Sequence, residues 1–359
     1  FVIPCLLVSL QKNAYSMERL LISQLLKWKE SHSRKPLVLE GARQVGKTWL
    51  LKEFGRKYFK DVCYINFEQS DVLGEVFAGD LSPQRIIEQL SIYNGKLIEP
   101  EQTLIIFDEV QEMPRALTSL KYFCEEAPEY VICCAGSLLG IALHEGTSFP
   151  VGKTDFLHLY PLSFKEFLMA TGKEQFAALL DKQDFQMITS FKQTYIDALK
   201  HYFFVGGMPE AVQSFTENKD FNEVRDIQKR ILAAYVQDFS KHAPNEIVPR
   251  LRMLWNSVPS QLAKENKKFI YGLVREGARA KDYETAILWL SDCGLVHKVS
   301  RVNFVGIPLR AYEDLKAFKL FVVDVGLLGC MAGLRQRTLL DGNDLFVEFK
   351  GALTEQYVC

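Results

Sequence analysis

Eight consecutive residues, Gly41-Ala42-Arg43-Gln44-Val45-Gly46-Lys47-Thr48, constrain this chain more than any other stretch. They fit G-x-x-x-x-G-K-[ST] at every fixed position, the Walker A pattern of a loop that cradles phosphate groups. The flanks agree. Leu37-Val38-Leu39-Glu40 is a short apolar run that predicts a buried strand, and Trp49-Leu50-Leu51-Lys52-Glu53-Phe54 continues as a helix. Gly41 and Gly46 allow the backbone to turn its N–H groups inward, in conformations other residues resist. Residues 41–49, through Trp49, are therefore the expected nucleotide-binding run. Within it, Lys47 is expected to reach the β- and γ-phosphates and the Thr48 hydroxyl to ligate Mg²⁺. The helix dipole adds partial positive charge at the same point.

Downstream, Val62-Cys63-Tyr64-Ile65-Asn66-Phe67 reads as a strand, and Thr103-Leu104-Ile105-Ile106-Phe107-Asp108-Glu109 as another ending in two acids. An apolar run closed by Asp-Glu is the Walker B pattern. Asp108 is expected to hold Mg²⁺ through water, and Glu109 to orient and polarise an attacking water. Many buried strands end in acids. The intervening strand and helix are what suit an α/β P-loop NTPase with an additional strand. A helix over about Ala116 to Glu126 and a strand over Tyr130 to Ala135 follow, ending in Gly136-Ser137. Ser137 resembles the sensor-1 position of AAA-type ATPases, where a small polar residue contacts the γ-phosphate or the attacking water. Its alternative role is to cap the next helix. A GTPase needs an N-K-x-D guanine reader after a strand, and Asn218-Lys219-Asp220-Phe221 falls one residue short of it. ATP is the better substrate on this reading, and the acid pair favours water over a substrate hydroxyl as nucleophile.

At 359 residues and 48 % hydrophobic content, the chain has room for two or three folded domains. A net charge of −1 gives no global pull toward nucleic acid or membrane, so any such contact needs a local patch. The eight cysteines include no C-x-x-C pair and no zinc spacing, which points to a reducing cytoplasm. Cys133 and Cys134, adjacent in an apolar run, read as strand residues with opposed side chains. Phe1 to Leu10 is apolar but too short to span a bilayer, and it lacks the basic start of a signal peptide. Met17 looks like a protein start, so residues 1–16 read as an upstream, non-native extension.

The run Leu157-His158-Leu159-Tyr160-Pro161-Leu162-Ser163-Phe164-Lys165-Glu166-Phe167-Leu168 joins Gly136-Ser137 and Val205-Gly206-Gly207-Met208-Pro209-Glu210 in an ordered set. Together they are similar to the prokaryotic AAA-type ATPases that carry an uncharacterised C-terminal domain, and the resemblance covers residues 17–359. It implies an AAA-like parallel-sheet ATPase domain over 17–172, then a helical linker or lid over 173–242. A winged-helix-like domain over 243–302 and a restriction-endonuclease-like domain over 303–359 follow. The resemblance also raises a ring-forming oligomer. Many members have Gly-Arg shortly before the Pro-Leu-Ser-Phe run, whereas this chain has Gly152-Lys153. Lys153 as the counterpart of an arginine finger would keep the charge but not the planar fork. Arg115 is a second candidate, with a solvated helix-start arginine as its alternative. The aromatic residues of the run read as core packing rather than adenine contacts.

Gly206-Gly207-Met208-Pro209 predicts a joint between two helices, with glycine ending one and proline opening the next. Beyond it, Ser260 to Asn266 and Ala280 to Cys293 read as short helices, with Ser257 and Ser260 as helix-start residues and Gly294 as a stop. A strand at Leu295-Val296-His297-Lys298-Val299 completes an order that resembles a winged helix. Lys264, Lys267, Lys268, Arg275, Arg279 and Lys281 form a local basic excess suited to duplex DNA phosphates. The alternatives are a solvated face on a lid, or a surface for a protein partner. His297 reads as a surface or packing histidine. Glu348-Phe349-Lys350 resembles half of a nuclease metal site, but in the family this text opens a helix (346–358 here) ahead of the metal-binding strands. The nuclease-like domain is thus read as incomplete, with an unpaired sheet edge and poor solubility or disorder after about residue 300. The expectation that follows is a cytoplasmic Mg²⁺-dependent ATPase coupled to a DNA- or protein-binding C-terminal module. Its alternatives are an ATP-gated interaction switch with little turnover and the ATPase subunit of a nuclease-like system.

Overall fold

The computed structural model describes residues 17–68, 72–136, 150, 152–263, 268–337 and 347–359. Strands β1 (Leu37–Glu40), β2 (Asp61–Asn66), β3 (Thr103–Asp108), β4 (Val131–Ala135) and β5 (Asp155–His158) form one sheet. All its pairings are parallel and the order is β2-β3-β4-β1-β5. The strand that ends in the acid pair is thus separated from the phosphate-loop strand by β4, which is the inserted strand expected from the sequence. Helices α1 (Ile22–Lys29), α2 (Lys47–Tyr58), α3 (Val72–Ala78), α4 (Pro83–Asn94) and α5 (Pro114–Glu126) belong to this half.

β3 and β4 are buried along their whole length because both faces of the sheet are covered. Side chains alternate between two cores, as a period of two requires. Leu37, Leu39, Leu104, Ile106 and Cys133 enter one, while Val38, Ile105, Phe107 and Cys134 enter the other. Cys133 and Cys134 therefore do point to opposite faces. Burial pushes both thiols up, which keeps them inert.

The Pro-Leu-Ser-Phe run leads into α6 (Phe164–Ala170) through a capping box. The Ser163 hydroxyl accepts from the Glu166 backbone N–H, and Glu166 accepts from the Ser163 N–H at 2.8 Å. This S-x-x-E arrangement satisfies two donors that a helix start otherwise leaves unpaired. Helices α7 (Glu174–Lys182), α8 (Phe185–Ser190), α9 (Lys192–Val205), α10 (Pro209–Asn218) and α11 (Phe221–His242) follow. The Asn218-Lys219-Asp220 text joins the last two. Lys219 takes the left-handed conformation that ends α10, and the Asp220 carboxylate accepts from the Asn222 N–H to start α11.

The expected joint at Gly206-Gly207 is present, and its glycines answer to close packing. A Cβ on Gly207 would lie 2.1 Å from the Leu162 carbonyl oxygen. The Gly207 N–H donates to Asp324 at 2.6 Å, and its carbonyl accepts from the Leu162 N–H at 2.7 Å. Asp324 is buried and also accepts from the Leu327 N–H at the start of α14 (Val325–Met331). Burial raises its carboxyl to about 6, against the opposing pull of those backbone donors. The Asp324 side chain so ties the joint to α14, and the Gly207 backbone ties the joint to Leu162.

The remaining elements are α12 (Val248–Ala263), α13 (Glu284–Asp292), β6 (Val296–Val302), β7 (Glu313–Val322) and α15 (Val347–Val358). Three expectations are corrected here. Ser257 and Ser260 lie inside α12 rather than at a helix start, and the Ser257 hydroxyl donates back to the Leu254 carbonyl. The helix expected over Ala280 to Cys293 is a 3-10 turn (Ala280–Asp282) followed by α13, with Gly294 at φ 69° after it. Most consequentially, β6 and β7 pair antiparallel from Val296 opposite Val322 to Val302 opposite Glu313. The expected boundary between residues 302 and 303 therefore cuts one β-ribbon. Within the described residues after 300, Ala317, Leu320, Val322 and Leu327 are buried. Glu348 and Lys350 lie on α15. Among the described residues, no group of three or more His, Cys, Asp or Glu is placed to hold a metal. No described helix is long and apolar enough to cross a membrane.

Candidate active site

The carboxyl ends of β1 and β3 carry the site, as expected for an open parallel sheet. At the end of β1 the chain turns sharply, with Gly41 at φ 149°, Gln44 at 65° and Gly46 at 93°. A Cβ on Gly41 would lie 2.2 Å from the Leu159 carbonyl oxygen, so only glycine lets the loop pass the end of β5. Gly46 then opens α2, whose first-turn N–H groups face the loop.

Inside the loop, the Lys47 ammonium donates to the carbonyls of Gly41 and Ala42, each at 2.8 Å. Burial lowers its pKa to about 8, with Glu109 and Asp108 nearby pulling the other way. Thr48 and Asp108 meet. The Thr48 hydroxyl donates to Asp108 Oδ2 at 2.8 Å, and the Tyr64 hydroxyl donates to the same oxygen at 2.7 Å. Tyr64 carries no local signal beyond that of a strand residue, and its register opposite Ile106 is what aims it there. Glu109 sits just past the strand in a left-handed conformation (φ 51°), and Gln111 Nε2 donates to its carboxylate at 2.5 Å. A non-glycine residue held in that region is a mark of a specialised position.

Not every expected residue reaches this point. Ser137 lies outside the described residues, although Ala135 just before it pairs with Asp108 in the sheet. Lys153 precedes β5, whose first residue, Asp155, pairs with Leu37 at the opposite end of β1 from the loop. Its ammonium is paired with Glu125 at 2.9 Å. The Arg115 guanidinium is engaged by the carbonyls of Phe77 and Gly79, the latter at 2.7 Å. Neither finger candidate thus extends over the loop of its own chain.

Three other side chains that local sequence signals did not mark hold the loop. Arg19 is buried and donates to the Val45 carbonyl at 2.9 Å, to the Tyr160 carbonyl at 2.5 Å and to Glu166 at 3.0 Å. The acid of the α6 capping box thereby also anchors the phosphate loop. From α11, the Tyr235 hydroxyl donates to the Arg43 carbonyl at 2.9 Å, and Asp238 pairs with the Arg43 guanidinium at 2.5 Å. Tyr160 departs from the core reading, being 53 % exposed. Its ring lies 4.3 Å from His158 and 5.9 Å from His297, centroid to centroid. His297 thus packs the β-ribbon against the half that holds the five-stranded sheet, and burial pushes both imidazoles down toward the neutral form.

Two family models match the chain. Residues 33–168 match one described as an AAA domain, and residues 196–338 match a domain of unknown function (DUF8612). No curated protein matches. Among solved structures, the Walker-type ATPase PABY2304 of Pyrococcus abyssi is similar at 14 % identity and a TM-score of 0.54. The match covers 88 % of this chain and 95 % of that one, so the two share a fold across both halves. The ORC1 protein of Aeropyrum pernix, solved in complex with DNA, matches at 12 % identity and a TM-score of 0.33, over 88 % of this chain and 90 % of that one. The Aeropyrum pernix ORC2 protein matches at 12 % identity and 0.35, over 94 % and 92 %. At those scores the two carry no argument about this chain.

Proposed function

We propose that the chain is an Mg²⁺-dependent ATPase whose nucleotide state governs a C-terminal module formed by α12, α13 and the β6–β7 ribbon. The single observation that carries this reading is the meeting of Thr48 and Asp108 at 2.8 Å beside Lys47 and Glu109. A hydroxyl and a carboxylate form an all-oxygen donor set, the kind that suits Mg²⁺ with its retained waters. Thr48 and Asp108 would hold the ion, which when bound neutralises charge on the β- and γ-phosphates. Residues 41–48 would wrap those phosphates with backbone N–H groups. Lys47 would exchange its two carbonyl partners for phosphate oxygens. Glu109 would accept a proton from the attacking water.

The depressed pKa of Lys47 gives this reading a pH signature. Phosphates favour the ammonium, so the bound-state pKa rises above the free value of about 8. ATP affinity should be flat below about pH 8 and fall by up to about tenfold per unit above it, with proton uptake on binding. Calorimetry in two buffers of different ionisation enthalpy measures that uptake. Affinity that does not change between pH 7 and 10 would rule Lys47 out as the titrating contact.

For the module, duplex DNA is the favoured partner. Lys268, Arg275, Arg279 and Lys281 are exposed between α12 and α13, and none is in a salt bridge among the described residues. Lys264 and Lys267 lie outside the described residues. The helix–helix–ribbon order supports a winged-helix reading of this unit. Steady-state hydrolysis of Mg²⁺-ATP, with and without duplex DNA, tests both parts. Turnover that rises with DNA and loses the effect at high salt is the expected result, because phosphate contacts release counterions. Turnover indifferent to DNA at low salt would hand the module to a protein partner, and absence of turnover would leave a nucleotide-gated switch.

A further inference from the structure

The phosphate loop and α11 are far apart in sequence yet bound at two points. Tyr235 and Asp238 stand three residues apart, on one face of the helix. The first holds the carbonyl of Arg43 and the second its guanidinium. Asp238 is 18 % exposed and Arg43 30 %, so the pair is screened less than a surface ion pair. One turn further along the same helix, His242 lines a small cavity with Arg43, Asp238, Trp289 and Cys293. Trp289 and Cys293 belong to α13 and its end, and Trp289 packs edge-on against Phe239 of α11 at 5.5 Å. The clasp on the loop is therefore in direct packing contact with the unit that carries the ribbon.

Phosphate entry works against this clasp. Arg43 is itself a residue of the phosphate loop, four positions before Lys47. A triphosphate beside Lys47 brings several negative charges within reach of the same guanidinium. It competes with Asp238, and a partly buried carboxylate that loses its cation is costly to leave in place. We propose that Asp238 and Tyr235 are positioning residues that hold the empty phosphate loop from α11, and that nucleotide binding draws Arg43 off Asp238 and so shifts residues 284–322. The inference rests on the nucleotide reading above and names how the coupling is made. Linkage requires reciprocity: whatever loosens the clasp must tighten nucleotide binding.

The full-length chain tests this with Mg²⁺-ATP as the probe. Two readouts are needed, the ATP dissociation constant and the change in hydrogen exchange over residues 284–322 when ATP is added. In the wild type, ATP should raise exchange there. Asp238→Ala should bind ATP about three- to tenfold tighter, and ATP should no longer change exchange in that segment. Asp238→Glu, which restores the charge, should recover the exchange response. Tyr235→Phe removes a single hydrogen bond and keeps the ring, so it carries the same test, with a smaller gain, if Asp238→Ala does not fold. Unchanged or weaker ATP binding in Asp238→Ala and Tyr235→Phe, with the exchange response intact, would overturn the clasp while leaving the ATP site standing. A wild type that binds no ATP would remove both together.

Discussion

Glu109→Gln should bind ATP as tightly as the wild type, within about threefold, and turn it over about 10²–10⁴ times more slowly, the usual worth of a positioned general base. The substitution keeps the size of the side chain and its acceptor toward Gln111, which holds the carboxylate at 2.5 Å. What it removes is the ability to take a proton from water. Asp108 and Thr48 stay paired, so the metal-binding oxygens and the phosphate loop are untouched. The result is a split, with kcat reduced and affinity kept, read by single-turnover hydrolysis beside equilibrium binding. Equal turnover in the two proteins would remove Glu109 from the chemistry. A parallel loss of binding and turnover would instead mean that its left-handed backbone position shapes the site.

Lys47→Ala should weaken ATP binding by about 100-fold or more, since charge-assisted hydrogen bonds to phosphate are among the stronger polar contacts. Thermal stabilisation shows this without an activity assay. At ATP about 100-fold above the wild-type Kd, the wild type gains about 2.7 kcal/mol. A variant bound 100-fold more weakly sits at its own Kd and gains only about 0.4 kcal/mol. The ligand-free variant should stay folded. The Lys47 ammonium is held against its desolvation, as the fall of its pKa to about 8 records, so its removal takes away a buried charge along with two hydrogen bonds. Ligand-free melting temperatures of both proteins supply that control. Retention of the full ATP-induced shift in Lys47→Ala would place the phosphates elsewhere.

The amino-acid sequence by itself determined the parts of this protein that depend on neighbouring residues. Residues 41–48 specify their own turn because glycine at 41 and 46 makes it accessible, and the apolar runs at 37–39 and 104–107, bounded by the loop and the acid pair, read as buried strands. The strand between them in sequence, β2, takes the edge of the sheet, while β4, which follows β3 in sequence, is the one inserted between β1 and β3. The capping box at Ser163 and Glu166 and the joint at Gly206-Gly207 also follow from local rules. Tertiary structure decided every contact between residues distant along the chain: Arg19 with Glu166 and Val45, Gly207 with Asp324, Arg43 with Asp238 and Tyr235. It also moved Tyr160 from the expected core to an exposed position between His158 and His297, and showed that β7 belongs with β6. None of these pairings has a local signature, because an arginine or aspartate bears the same backbone preferences whether it meets solvent or a partner. Only packing brings such partners together, and burial then makes leaving them unpaired costly.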